Sequence, residues 1–222
     1  MVARLSFLET YKPIIDSLLT LSSIVNLIGW IVGAILVYRA WQRNAISSIA
    51  VGPINFRLQE AAVEAAAAAA RDWQAKTPEQ QVDVPRIRAT VRRAFMPEIV
   101  DKLIGKAVLW VDDNPKNNEL AVRAFRKLQL DVEQVTSTEM ALAALARRHV
   151  DLIISDMGRG DDMLAGYKLL EAVRAKGNQT PLVIFAGSDT PEFRRMAVEK
   201  GAQLSTNDML ELIDETIDLL AK

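Results

Sequence analysis

Residues 104–222 predict an α/β fold, a five-stranded parallel sheet wound with helices on both faces. Runs that are apolar on both sides, Ala107–Val111, Asp151–Ile154 and Pro181–Phe185, read as strands buried in such a sheet. Asp131–Val135 alternates apolar and polar residues instead, which suits a strand at the sheet edge. Between these runs lie helical patterns: Leu120, Ala121, Ala124, Phe125 and Leu128, then Ala141 to Ala146, then Tyr167, Leu169, Leu170 and Val173. With Gly201–Leu204 as a short last strand, the count is five strands and five helices. That order is the flavodoxin-like, doubly wound arrangement.

The chain ahead of this domain has another texture. Residues 1–16 form a short N-terminal segment, and Ser17 to Tyr38 follow as 22 residues without a charge. At 1.5 Å per residue that run is about 33 Å long, enough to cross a hydrocarbon core of about 30 Å. It is too long for the core of a signal peptide, and no small-residue cleavage site follows it. Tyr38, Trp41 and Arg43 are the aromatic and basic residues of a membrane boundary. The sequence therefore predicts a transmembrane helix over 17–38. Gly29 and Gly33 share one face of it at G-x-x-x-G spacing, which suits a homodimer of spans and is also common in lone membrane helices. Arg4 and Lys12 precede the span, and Arg39, Arg43 and Arg57 follow it, a slight lean toward a cytoplasmic C-terminal side.

Residues 39–103 predict a helical connector. Phe56 to Lys76 holds an unbroken Ala65–Ala70 run among strong helix formers, so one helix of about five turns is expected there. Thr77 then reads as an N-cap ahead of Pro78, and a further helix starts near Pro85 with Ile87, Val91, Ala94 and Phe95 on one face. Pro97 ends or restarts it. Arg86, Arg88, Arg92 and Arg93 interleave with that face and read as a solvated charged surface, with anionic lipid as the alternative contact.

Composition removes several function classes. The chain has 222 residues, 27 Lys+Arg against 28 Asp+Glu, one His and no Cys. Disulfides, thiolate catalysis and Cys-based zinc sites are excluded, and a formal charge of -1 gives no support for nucleic-acid binding. A Ser-His-Asp hydrolase would rest wholly on His149, which reads as a surface residue. No Walker sequence or G-x-G-x-x-G appears. With the predicted fifth helix running to Lys222, no output module is expected on the C-terminal side.

What stands out is acid at strand ends. Ligands of a doubly wound sheet sit beyond the carboxyl ends of its strands. Asp112 and Asp113 end the first strand, and Asp156 ends a strand expected to lie beside it. Three converging carboxylates repel one another unless a cation sits among them, and oxygen-only ligands suit Mg²⁺. A turn and an N-cap before Pro115 would account for Asp112 and Asp113, but not for Asp156.

Four blocks carry a family likeness: Val108–Val111 followed by Asp112-Asp113-Asn114-Pro115, Asp151–Asp156, Pro181–Phe185 and Gly201-Ala202. In order and spacing they resemble the receiver domain of bacterial two-component response regulators. The resemblance implies that Asp156 accepts a phosphoryl group, that Asp112 and Asp113 hold Mg²⁺ directly or through water, and that the Gly158 carbonyl is a further ligand. It also implies a bacterial source, a histidine kinase or other signalling protein as partner, and signalling rather than an enzyme's turnover. The chain departs from the family pattern in three places. Ala186 stands where Thr or Ser is usual, and Asp208 stands near the place of a Lys. The acceptor loop Met157–Gly166 is two residues longer than the pattern, with Arg159 or Asn207 as substitutes for the missing donor. The aromatic position of the fifth strand falls at Ser205.

Together these readings expect a bacterial single-pass membrane protein presenting an atypical receiver-like domain to the cytoplasm for a phosphorelay. The alternative is a pseudo-receiver that binds a partner at the membrane without phosphotransfer. A metal-dependent phosphohydrolase would use the same acids, but no general acid or substrate pocket can be named for it.

Overall fold

The computed structural model describes residues 52–77, 81–187 and 190–222. Its first elements are three helices: α1 (Gly52–Lys76), α2 (Val84–Ala94) and α3 (Pro97–Leu103). Then strands and helices alternate: β1 (Ala107–Val111), a 3₁₀ turn (Pro115–Asn118), α4 (Glu119–Lys127), β2 (Asp131–Val135), α5 (Thr138–Arg147) and β3 (Leu152–Ser155). The chain continues through α6 (Ala165–Ala175), β4 (Leu182–Phe185), α7 (Pro191–Glu199), β5 (Leu204–Thr206) and α8 (Met209–Leu220). All strand pairs are parallel, in the order β2-β1-β3-β4-β5. This is the expected doubly wound five-stranded sheet, with the alternating Asp131–Val135 at its edge.

Local differences have local causes. The last strand begins at Leu204, because Gly201, at φ +95°, and Ala202 are spent turning the chain out of α7. Thr77 does not open a new helix; its N–H and hydroxyl both donate to Trp73 O and close α1. α2 instead starts at Val84, where the Asp83 carboxylate accepts from Arg86 N at 2.9 Å. α1 runs back to Gly52, one turn before the expected start at Phe56. The predicted span 17–38, the segment 1–16 and residues 39–51 lie outside the described residues. Among those described, no helix is long and apolar enough to cross a membrane.

Apolar packing is continuous across residue 104. Pro53–Lys222 is one compact unit. One continuous apolar layer joins Ala62, Ala66 and Ala69 of α1, Ile87 and Val91 of α2, Phe125 of α4, Trp110 of β1 and Ile213 of α8. The alanine run permits this: side chains that small let α1 lie close over its neighbours, and Ala62 and Ala66 are fully buried. Two of the four α2 arginines are spent on the same attachment. Arg93 pairs with Asp214 at 2.8 Å and Asp218 at 2.5 Å on α8, and Arg88 pairs with Glu60 on α1. A second layer, on the other face of the sheet, holds Leu109, Ile153, Leu170 and Ile184 under α5, α6 and α7.

Candidate functional site

Beyond the carboxyl ends of β1 and β3 three carboxylates meet. Val111 and Ser155 are register partners, so the residues that follow, Asp112 and Asp156, leave the sheet side by side. One oxygen from each of Asp112, Asp113 and Asp156 lies within 4.8 Å of the others, a group that could hold a metal ion. The backbone fixes both strand ends, with Asp112 N donating to Val135 O and Asp156 N to Val111 O.

Each carboxylate is held by a different donor. Asp112 accepts from Asn114 N at 2.7 Å and from Asn118 Nδ2 at 2.5 Å. Asp113 accepts from Gly160 N at 2.7 Å, and Asp156 from Met157 N at 2.7 Å. Burial pushes the Asp156 carboxyl up from 3.8 to about 6, with the Asp112 charge adding to it and the Met157 N–H and Arg159 opposing it. Burial likewise raises Asp112, against the hydrogen bonds from Asn114 and Asn118. Hydrogen bonds alone therefore leave this much negative charge under-compensated.

The long acceptor loop is a miniature hairpin. Arg159 and Asp162 exchange backbone hydrogen bonds of 2.9 and 3.0 Å, and Gly160 takes the first central place at φ +55°, where a side chain would be strained. Beneath it Arg159 is 8% exposed and commits its guanidinium to four acceptors: Ser155 Oγ, Asp156 O, Thr138 Oγ1 and Ala165 O. Arg159 thus braces the loop from below; its charge favours the carboxylates, but its N–H groups are turned away onto neutral oxygens. Gly166 makes the fold-back possible. A Cβ there would sit 2.8 Å from Asp156 O and 3.1 Å from Met157 Cα.

A cavity of about 520 Å³ opens beside Asp113 and Asp156, lined also by Gly158, Tyr167, Ala186, Phe193 and Ser205. Gly158, expected to offer a carbonyl, is therefore on the same cleft as the acids. Asp208 is not: its carboxylate caps α8, accepting from Leu210 N and Glu211 N. Asn207 receives Trp73 Nε1 on its carbonyl at 2.6 Å. His149 is exposed against Asp151, at the opposite end of β3 from the acids. Asn118, at 2% exposure, carries no sequence signal for the site; only the fold brings it to Asp112.

The doubly wound sheet thus carries an acidic cluster beyond the carboxyl ends of β1 and β3. The family model of the response regulator receiver domain matches residues 108–205, and this segment of the chain is of that class. No curated protein matches the sequence. Among solved structures, the receiver domain of a Francisella response regulator is 20% identical at a TM-score of 0.47, covering 53% of this chain and 97% of that one. Chemotaxis response regulator CheY4 of Vibrio cholerae is 22% identical at 0.45, covering 52% and 98%. Response regulator TrrA of Thermotoga maritima, solved in complex with Mg(2+)-BeF, is 20% identical at 0.45, covering 51% and 98%.

Proposed function

We propose that this chain is a membrane-anchored signalling protein whose receiver domain accepts a phosphoryl group on Asp156 from a histidine kinase in a phosphorelay. The observation that carries the reading is the convergence of Asp112, Asp113 and Asp156 within 4.8 Å. The donor set is all oxygen and over-charged, which fits Mg²⁺, a hard cation that takes few protein ligands and keeps several waters. Asp112, Asp113, Asp156 and the Gly158 carbonyl would hold it. When bound, the cation neutralises charge on the transferring phosphoryl oxygens.

The chain's own part is nucleophilic. An Asp156 carboxylate oxygen forms a bond to phosphorus while the bond from phosphorus to the donor imidazole nitrogen breaks, its electron pair returning to that ring. Only the ionised carboxylate attacks. With its pKa at about 6, the metal-free protein loses the nucleophile as pH falls through that value. The uncharged stretch 17–38 is the anchor in this reading, with the domain in the cytoplasm of a bacterial cell, where ATP-derived phosphate is available.

A second reading has its own observation. Ala186 brings no hydroxyl to the cleft, and Asp208 spends its carboxylate on capping α8. A domain so altered would recruit a partner to the membrane without phosphotransfer. Incubating the full chain with a small phosphodonor and Mg²⁺, then weighing it intact, separates the two. The first reading expects one added phosphoryl mass that Asp156→Asn abolishes. An unmodified chain with small donors and histidine kinases alike establishes the second.

A further inference from the structure

We propose that the last turn of α1 reads the acceptor site, passing the state of Asp112, Asp113 and Asp156 to the helix that leads back toward the N-terminal segment. The inference rests on reading those acids as a cation and phosphoryl site. Its basis is a juxtaposition: one helical turn touches three of the strand-end segments from which the site is built.

Trp73 makes two of the contacts. Its Nε1 donates to Asn207 O at 2.6 Å, in the turn between β5 and α8. Its ring lies 4.2 Å, centroid to centroid, from Phe185, the last residue of β4 and the neighbour of Ala186 in the cleft. Lys76, one turn later, makes the third, donating to Asn117 O at 3.0 Å in the turn after β1. The next residue, Asn118, is the one whose amide holds the Asp112 carboxylate at 2.5 Å. From the acid to α1 the route is an amide, a peptide unit and an ammonium group. A second route runs through rings: Phe185 packs edge-on to Trp110 at 6.1 Å, and Trp110 sits two residues before Asp112.

The two hydrogen bonds, from Lys76 and from Trp73, differ in how firmly they follow the site. Lys76 is part-exposed and shares its charge with Asp72 at 2.7 Å, so its bond to Asn117 exchanges readily with water. The Trp73 indole is part-buried and would lose its acceptor if the Asn207 carbonyl turned away. Movement of the β5–α8 turn therefore carries Trp73 with it, and with Trp73 the end of α1. A ligand shifts such a docking equilibrium only by its differential affinity for the two arrangements. Coupling of this kind is reciprocal, so the seating of α1 changes the affinity of the site by the same factor.

The full chain, labelled with 5-fluorotryptophan, gives one ¹⁹F resonance for each of Trp30, Trp41, Trp73 and Trp110, assigned by Trp→Phe variants. On adding Mg²⁺, then Mg²⁺ with beryllofluoride, both Trp110 and Trp73 should shift, and in Asp112→Asn neither should. Trp73→Phe keeps a ring against Phe185 but removes the N–H; it should weaken Mg²⁺ binding about 5-fold. Lys76→Met should weaken it less. If Trp110 shifts while Trp73 does not, and both variants bind Mg²⁺ as the parent does, the inference is overturned and the acidic-site reading stands. If neither resonance moves in a chain whose circular dichroism shows it folded, the cation site itself falls, and the inference with it.

Discussion

Replacing Asp156 by Asn removes a charge that its surroundings disfavour, while keeping the side chain's size and an oxygen for Met157 N. In the metal-free protein this carboxyl titrates at about 6 rather than 3.8. The folded chain therefore binds more protons than the unfolded chain between about pH 4 and 6, and stability falls as pH rises through that window. A displacement of that size disfavours the ionised form by about 3 kcal/mol. Asp156 keeps some solvent, and screening reduces the stability effect to about 1–2 kcal/mol. Asn carries no charge at any pH. In EDTA at pH 7.5, Asp156→Asn should therefore melt about 3–6 °C above the parent. At pH 4 the two should melt together. Mg²⁺ should raise the parent and barely move the variant, closing the gap. Melting curves followed by circular dichroism at both pH values, with EDTA or Mg²⁺, test all four conditions. A variant less stable than the parent at pH 7.5 in EDTA would refute the argument that the three carboxylates are held against their own repulsion.

Two further substitutions probe the acceptor loop. Gly166→Ala puts a methyl group 2.8 Å from Asp156 O, so it should cost about 1–3 kcal/mol in urea unfolding and weaken Mg²⁺ binding; an unchanged midpoint would mean the loop has room to move. Arg159→Met removes the guanidinium that donates to Ser155 Oγ, Thr138 Oγ1, Ala165 O and Asp156 O, the last of which keeps the Ser155 hydroxyl, so about 3 kcal/mol of stability should be lost. The same change withdraws a favourable charge from Asp156, whose pKa, followed by carboxyl NMR, should climb above about 6.

β1, β3 and β4 were legible because each is a short apolar run buried on both faces, and β2 because the alternating Asp131–Val135 suits an edge; β5 is polar after Leu204 and overlaps the expected Gly201–Leu204 by one residue. The acid cluster was legible for a related reason: in a parallel sheet the end of a strand is the site, so Asp112, Asp113 and Asp156 announce themselves by position. What stayed hidden depends on tertiary contact. Nothing in Ala65–Ala70 distinguishes an alanine-rich spacer from a helix laid into a shared core; that depends on the faces α4 and α8 leave open. Arg159 could be seen as a nearby cation, but its direction is set by Ser155, Thr138 and Ala165, which come from three elements. Thr77 carries a capping residue's chemistry at either end of a helix, and Trp73 decides which by presenting its carbonyl.

The apolar layer shared by α1, α2, β1 and α8 bears on what can be inherited as a piece. Many domains are exchanged between genes at a linker, because each closes its own core. A recombination event at residue 104 would carry off the sheet but leave Leu103, Ile87, Val91 and the buried alanines behind, stripping cover from Phe125, Trp110 and Ile213. The portable unit is therefore 53–222, helices included. Residues 53–103 and the sheet close one core between them, so substitutions in the alanine stripe and in the sheet beneath it should be selected together.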